Sequence, residues 1–266
     1  MLKKFAGATL IVFNRIIDLG HEELRSSFQR SFSIACSALV FSILVFSIGC
    51  GFKDRPKAES PEPSFHQQVV AVRQGQSREI RSDAMVDDAE FSELKGLAAL
   101  ETLSLSNAQL SDSIADTLAS LVELKHLRLE KTHVGDRLAK VIGKLSKLTT
   151  INLPNSEISD EGIEEWPSLS NLVLLRIGSP NLSDAAFETI AKMGSMRFLH
   201  LIDVSISDAG LKHLHGMQQM ESFYLDGGNV TDSGLTELIQ ALPKLHFHRD
   251  QQHIPNDPRT DSHRKR

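Results

Sequence analysis

Apolar side chains recur along the middle of this chain at a fixed step of 24 residues. One column of the repeat contains Leu103, Leu127, Ile151, Leu175, Leu199 and Phe223. A second column, two positions later, contains Leu105, Leu129, Leu153, Ile177, Leu201 and Leu225. Self-similarity at a fixed period of this length indicates a solenoid built from stacked repeats.

Each unit changes its apolar period halfway along. It opens with an alternation, as at Leu103 and Leu105, which is typical of a short strand with one buried face. Later in the unit the apolar residues follow each other at steps of three, as at Leu211, Leu214 and Met217, which is the spacing of one helical stripe. One strand and one short helix cannot bury an apolar face alone, so the pattern predicts that neighbouring units stack.

The LxxLxL strand and the Ser-Asp-x-Gly-Leu turn, as at Ser207–Leu211, resemble the leucine-rich repeat family over roughly residues 86–247. The 24-residue length is similar to the ribonuclease-inhibitor-like and planctomycete bacterial subtypes. The resemblance implies an α/β fold: a right-handed solenoid with a concave parallel β-sheet and convex short helices. It also implies that the concave side serves as a binding surface.

A polar column accompanies the apolar ones, and Ser or Thr usually precedes it. Its members are Asp88, Asp112, Asp136, Asp160, Asp184, Asp208 and Asp232. An Asp directly before a helical stripe is predicted to be an N-cap, since its carboxylate accepts backbone N–H bonds at the positive end of the helix. The glycine-rich nonapeptide of calcium-binding β-rolls is absent, so we favour capping over a metal ladder.

Both ends of the array depart from the repeat. Val69–Val72 is predicted to form a capping strand, because a solenoid end must hide its core. The first half-unit reads as an atypical cap, since its strand columns fall on polar residues such as Glu79. At the other end the register slips by one residue, and Leu245 and Phe247 still predict a last strand.

The N-terminal part contains a candidate membrane anchor. After a mixed lead at residues 1–30, residues 31–52 carry no charge and are long enough to span a bilayer, which takes about 20 apolar residues. The same stretch fits a secretory apolar region. Ser47–Cys50 resembles a bacterial lipobox, in which Cys50 would be lipidated. A lipoprotein and an uncleaved transmembrane helix both remain open, and either places the protein in the cell envelope, facing the periplasm or the exterior.

The rest of the chain divides into a proline-rich linker at 53–68, a leucine-rich repeat domain at 69–250 and a disordered tail at 251–266. Both cysteines, Cys36 and Cys50, precede the repeats, so the repeats contain no disulfide. The formal net charge of −5 disfavours a general nucleic-acid binder.

The repeat phase predicts which strand residues face outward. In the early units these residues are polar, whereas later units place apolar, aromatic and arginine side chains there, the types that are enriched at interfaces. We predict a protein- or peptide-binding patch composed of Leu174, Arg176, Arg197, Phe198, His200, Ile202, Tyr224 and Asp226. The alternative is that Leu174 and Phe198 only cover neighbouring strands or lie under a folded-back tail.

Histidines are frequent near this patch. His200 is predicted to neighbour Tyr224 across adjacent strands, and His246 and His248 alternate along the predicted last strand, so both can face one side. Neither these histidines nor any others show the spacing of a zinc site with three or four ligands.

No nucleophile with a base, carboxylate pair or phosphate loop is found, which favours a non-enzyme without a cofactor. The predicted function is a membrane-tethered module that binds a protein or peptide. A structural scaffold with an inert concave face and the substrate-recognition arm of a larger assembly are the alternatives.

Overall fold

The structure is a computed structural model that describes residues 62–250 and the backbone of Gln252–His253. The predicted lead, the apolar segment with Cys50, most of the predicted linker and most of the tail lie outside the described residues.

The described strands form one sheet whose spatial order follows the sequence. The strands are β1 (Glu79–Asp87), β2 (Thr102–Gln109), β3 (His126–Leu129), β4 (Thr150–Leu153), β5 (Leu174–Gly178), β6 (Phe198–Ile202), β7 (Ser222–Asp226), β8 (His246–Arg249) and β9 (Gln252–His253). Strands β1 to β8 are parallel, and β9 pairs with β8 in the antiparallel direction. The predicted α/β solenoid with a parallel sheet is therefore confirmed. We call the exposed face of this sheet the concave face.

Short helices return the chain from each strand to the next. The α-helices are α1 (Phe65–Arg73), α2 (Asp88–Phe91), α3 (Ala115–Ala119), α4 (Asp136–Ile142), α5 (Asp184–Ala191), α6 (Asp208–His213) and α7 (Asp232–Ala241). After β4 the return is made by two 3₁₀ turns, Glu161–Ile163 and Trp166–Ser168, where Pro167 cannot supply the N–H that a longer α-helix would need.

The two apolar columns form the strand side of the core. Leu127, Ile151 and Leu175 pair with one another in register across β3, β4 and β5, and the column continues through β8. These side chains are at most 1% exposed. The 24-residue step is therefore the spacing of one turn of the solenoid.

The predicted capping strand at Val69–Val72 is wrong, because this segment lies in α1. Ser64 and Gln67 form a capping box that starts the helix. The buried residues Phe65, Val69 and Val72 recur at helical spacing and cover the end of the core. The predicted domain start at residue 69 thus falls inside this helix.

The strand β1 was not predicted, because its register differs from the repeat by one residue. Ile80 pairs with Leu103, an offset of 23, whereas the strict step falls on Glu79. The side-chain amide of Gln68 donates to the Arg81 carbonyl at 2.7 Å and accepts from the Arg81 N–H at 2.8 Å. Gln68 therefore satisfies part of an edge strand that would otherwise be open for pairing.

The last predicted strand is confirmed as β8. Phe247 pairs with Phe223, so the step of 24 is restored between Leu245 and Phe247 despite the longer helix before them. Asp250 adopts a positive φ of 47°, after which Gln252–His253 returns along β8. The predicted tail thus begins with a short strand.

The aspartate column connects neighbouring repeats, which corrects its predicted role as the N-cap. The caps are the residues before it, such as Ser207 and Thr231. Asp184 accepts the N–H of Ser207 at 2.7 Å and its hydroxyl at 2.5 Å, although Ser207 belongs to the next repeat. Asp208 makes the same pair of bonds to Thr231. Asp184 and Asp208 therefore hold the cap of the following turn in place.

Candidate functional site

The predicted patch residues lie on the concave face in three parallel rows that cross strands β5 to β8. The central row is formed by Arg176, His200, Tyr224 and His248, which pair in register. A second row contains Leu174, Phe198, Ser222 and His246. A third contains Gly178, Ile202 and Asp226. The parallel register thus brings together seven of the eight predicted residues.

A chain of hydrogen bonds crosses four strands at the centre of the patch. Arg176 Nη1 donates to Asn152 Oδ1 at 3.1 Å, and Arg176 Nε donates to His200 Nδ1 at 3.2 Å. On its other side the His200 ring contacts Asp226, with 2.8 Å between Nε2 and Oδ2. The side chains of β4, β5, β6 and β7 therefore orient one another.

This chain determines the tautomer of His200. A guanidinium can only donate hydrogen bonds, so His200 Nδ1 must be the unprotonated acceptor. The ring proton then lies on Nε2, where it is donated to the Asp226 carboxylate. His200 is thus a neutral imidazole fixed between a permanent cation and an anion.

Arg176 is the most deeply placed charge of the patch. Its side chain is 16% exposed, and the carboxylate of Glu130 lies 3.9 Å from its guanidinium. Burial lowers the pKa of the Arg176 guanidinium from its ordinary value, and the charge of Glu130 acts in the opposite direction. An arginine remains protonated in spite of such a shift, so the patch holds a cation that is partly removed from water.

Aromatic rings continue the central row beyond His200. The centroids of His200 and Tyr224 are 5.5 Å apart, which confirms that these residues are neighbours. Tyr224 and His248 lie closer, at 4.7 Å. His246 packs against His248 with a centroid distance of 4.5 Å. Tyr224 is therefore surrounded by three imidazoles on one face of the sheet.

The apolar members flank this polar row on both sides. Leu174, Phe198 and Ile202 are each half-buried, so part of each side chain lines the surface. Arg197 lies elsewhere: it precedes β6, is exposed, and forms an ion pair with Glu221. The structure therefore does not place Arg197 with the rest of the predicted patch.

The other half of the concave face is composed differently. Arg128 of β3 pairs with Glu130, just after β3, at 2.8 Å, so their charges compensate one another. Glu101 bridges Arg78 at 2.6 Å and Lys125 at 2.7 Å, but these three residues precede their strands, as Arg197 does. Aromatic and apolar side chains are concentrated at β5 to β8 instead.

The predicted patch omitted His246 and His248, although both lie on the same face as Tyr224. The repeat indicates this placement, because the step of 24 residues leads from Ser222 to His246 and from Tyr224 to His248. The one-residue slip in the preceding helix obscured it.

Within residues 62–250, no three His, Cys, Asp or Glu side chains converge as a metal site would require. Over the same stretch, no helix combines the length and the apolar character needed to cross a bilayer.

Comparison with known families agrees with the repeat and the parallel sheet. The chain matches the leucine-rich repeat region family over residues 79–260, which is more than half of its length. The protein therefore belongs to the leucine-rich repeat family, whose domains typically bind proteins. No curated protein sequence matches the chain.

The solved structure of an internalin shows the same fold. An internalin C2 from Listeria monocytogenes is 19% identical, with a TM-score of 0.54, and the match covers 73% of this chain and 87% of that one. A second internalin of the same organism, internalin F, is 14% identical with a TM-score of 0.46, over 70% of this chain and 64% of that one. At these identities the likeness concerns the fold alone.

Proposed function

We propose that this protein is a non-enzymatic recognition module that binds a protein or peptide through the concave face of β5 to β8. The observation that carries the proposal is the row from Arg176 through His200 to Tyr224, with apolar side chains on either side. Such a surface combines a desolvated arginine, aromatic rings and exposed apolar area, which are the components of interface hot spots.

The hydrogen-bonded chain supports this proposal because it holds the side chains before a partner arrives. Arg176, His200 and Asp226 each make side-chain bonds to a neighbouring strand. A partner therefore does not have to order them, which reduces the entropic cost of association. By contrast, the charges of Arg128 and Glu130 at β3 already compensate one another and offer less to a ligand.

We further propose that the module is tethered in the cell envelope, by an uncleaved helix at residues 31–52 or by a lipidated Cys50, and faces the periplasm or the exterior. The uncharged stretch and the lipobox-like Ser47–Cys50 support this proposal. A proline-rich linker would then separate the repeats from the membrane. Labelling cells with a radioactive fatty acid tests the tether: a Cys50→Ala variant should lose the label if the protein is a lipoprotein and keep its membrane location if the helix anchors it.

The patch can be tested by capturing a partner from an envelope extract with the full chain and then measuring its affinity for variants. Phe198→Ser and Tyr224→Ser should each weaken binding at least tenfold, which corresponds to a central hot spot worth about 1.4 kcal/mol or more.

His126→Ser is the matched control. His126 lies in the row of Phe198 three repeats earlier, and the substitution likewise replaces a ring with a hydroxyl group. It should leave the affinity within twofold. If the partner binds all three variants as tightly as it binds the unaltered chain, the concave face is inert. The domain would then serve as a scaffold or as the arm of a larger assembly.

A further inference from the structure

The two histidines of β8 make a contact that the proposed function does not use. His246 and His248 are separated by one residue, so strand geometry directs both to the concave face. Their Nε2 atoms are 2.8 Å apart, and their ring planes are inclined by 74°. His246 is 6% exposed and His248 is half-buried, so β8 holds the pair firmly rather than leaving it free in solvent.

The distance between the rings excludes an in-line hydrogen bond as the explanation of this contact. An imidazole nitrogen lies about 1.2 Å from its ring centre, so an in-line N–H···N bond of 2.8 Å would separate the centroids by about 5.2 Å. Two rings that point at one metal ion about 2.05 Å from each nitrogen would be separated by about 4.4 Å. The observed separation is 4.5 Å. This separation excludes an in-line bond, and it fits both a bent hydrogen bond and two rings that share an ion.

We propose that His246 and His248 form a chelate for a divalent transition-metal ion, bound through both Nε2 atoms. Neutral imidazole is a good ligand for zinc, copper and nickel. The 2.8 Å between the nitrogens corresponds to an angle of about 86° at the metal. This angle suits the right-angled positions of nickel(II) or copper(II), whereas tetrahedral zinc would need nitrogens about 3.3 Å apart.

The remaining coordination positions would be open. Within residues 62–250, no third His, Cys, Asp or Glu joins the pair, so water would complete the coordination of the ion. Tyr224 packs against both rings, with centroid distances of 4.7 and 6.3 Å, and fixes their orientation. The ion would therefore sit at the edge of the proposed patch, with an exchangeable position available to an oxygen or nitrogen of a bound molecule.

Calorimetric titration of the full chain with Ni²⁺ tests the site. We expect one binding step that weakens at least tenfold in His246→Gln and in His248→Gln, and a rise in melting temperature with Ni²⁺ that both variants lose. His213→Gln is the control, because His213 and His215 have the same sequence spacing but lie on and just after helix α6, where residues two apart do not share a face. This control should bind as the unaltered chain does.

Histidines elsewhere in the chain contribute equally to every variant, so only the difference between variants reports on this site. If His248→Gln keeps the same affinity and the same melting shift, the ion binds elsewhere and the proposal is wrong. The absence of any Ni²⁺ step in the unaltered chain would overturn it as well. If His246→Gln fails to fold, His248→Gln decides the question alone. Neither result depends on whether a protein partner binds the patch.

Discussion

At the scale of single residues, the repeated turn is a pair of contacts between two repeats. The glycine of the Ser-Asp-x-Gly-Leu turn leaves the space that the aspartate of the preceding repeat occupies. A Cβ atom built on Gly210 would overlap the Asp184 carboxylate, and one on Gly234 would overlap that of Asp208. The backbone angle does not require glycine at these two positions, since only four other described glycines have positive φ. Glycine is required at these positions because the neighbouring carboxylate leaves no room for a side chain.

Gly210→Ala should therefore destabilise the protein by about 1–3 kcal/mol, the usual cost of overpacking a tight site. In the Asp184→Ala background the overlap with the carboxylate is absent, so the same substitution should cost much less. A double-mutant cycle measured by urea unfolding would show this coupling.

Gly194→Ala is the matched control for this cycle, because nothing lies within 4 Å of a Cβ at Gly194. It should change the free energy of unfolding by less than about 1 kcal/mol. Additive effects of Gly210→Ala and Asp184→Ala would show that the carboxylate is not what excludes a side chain at position 210.

At the scale of elements, the two ends of the array are closed by different means. The helix α1 covers the first turn, with Val69 fully buried and Gln68 paired to β1. The two-residue strand β9 lies along β8 at the other end. A solenoid needs such caps because its terminal repeats have a neighbour on only one side.

Val69→Ala should consequently lower the free energy of unfolding by about 1–3 kcal/mol, because it removes two methyl groups from a buried position. Val70→Ala is the control on the same helix, since Val70 is half-buried and faces away from the core. Thermal unfolding followed by circular dichroism would compare them. If both variants melt at the same temperature, α1 does not act as a cap.

At the scale of the whole molecule, two aspartates of the column make the stability of the array depend on pH. Burial would by itself raise the pKa of Asp88, but hydrogen bonds from Ser111 and Ser113 outweigh it and lower that pKa. Hydrogen bonds from the Thr231 hydroxyl and N–H likewise lower the pKa of Asp208. A carboxyl with a lower pKa in the folded chain stabilises the fold while ionised.

This stabilisation should be complete above the ordinary carboxyl pKa of about 4 and disappear as the pH falls below it. Urea unfolding at a series of pH values should show the decline, and Asp208→Asn should make it shallower. Asp116→Asn, at an exposed aspartate outside the column, should leave the slope unchanged. A free energy of unfolding that stays constant down to about pH 3 would contradict the assigned role of the column.

The concave face also shows an organisation that spans the molecule. An ion pair of Arg128 with Glu130 lies at β3, whereas the desolvated Arg176 and the ring of Tyr224 occupy the later strands. This asymmetry directs the proposed binding to one half of the sheet.

The repeat, the parallel sheet and the face on which most patch residues lie follow from the amino-acid sequence, because a strand repeated every 24 residues must bury the same column each time. The positions at which the period fails depend on tertiary packing. Ile80 enters the column one residue later along the chain than the strict step, and Val69 belongs to a helix, since the end of an array packs without a preceding repeat. Tertiary packing also determines which side-chain atoms come into contact. The bond from Ser207 to Asp184 and the approach of His246 to His248 depend on distances between side chains, which a one-dimensional period does not contain.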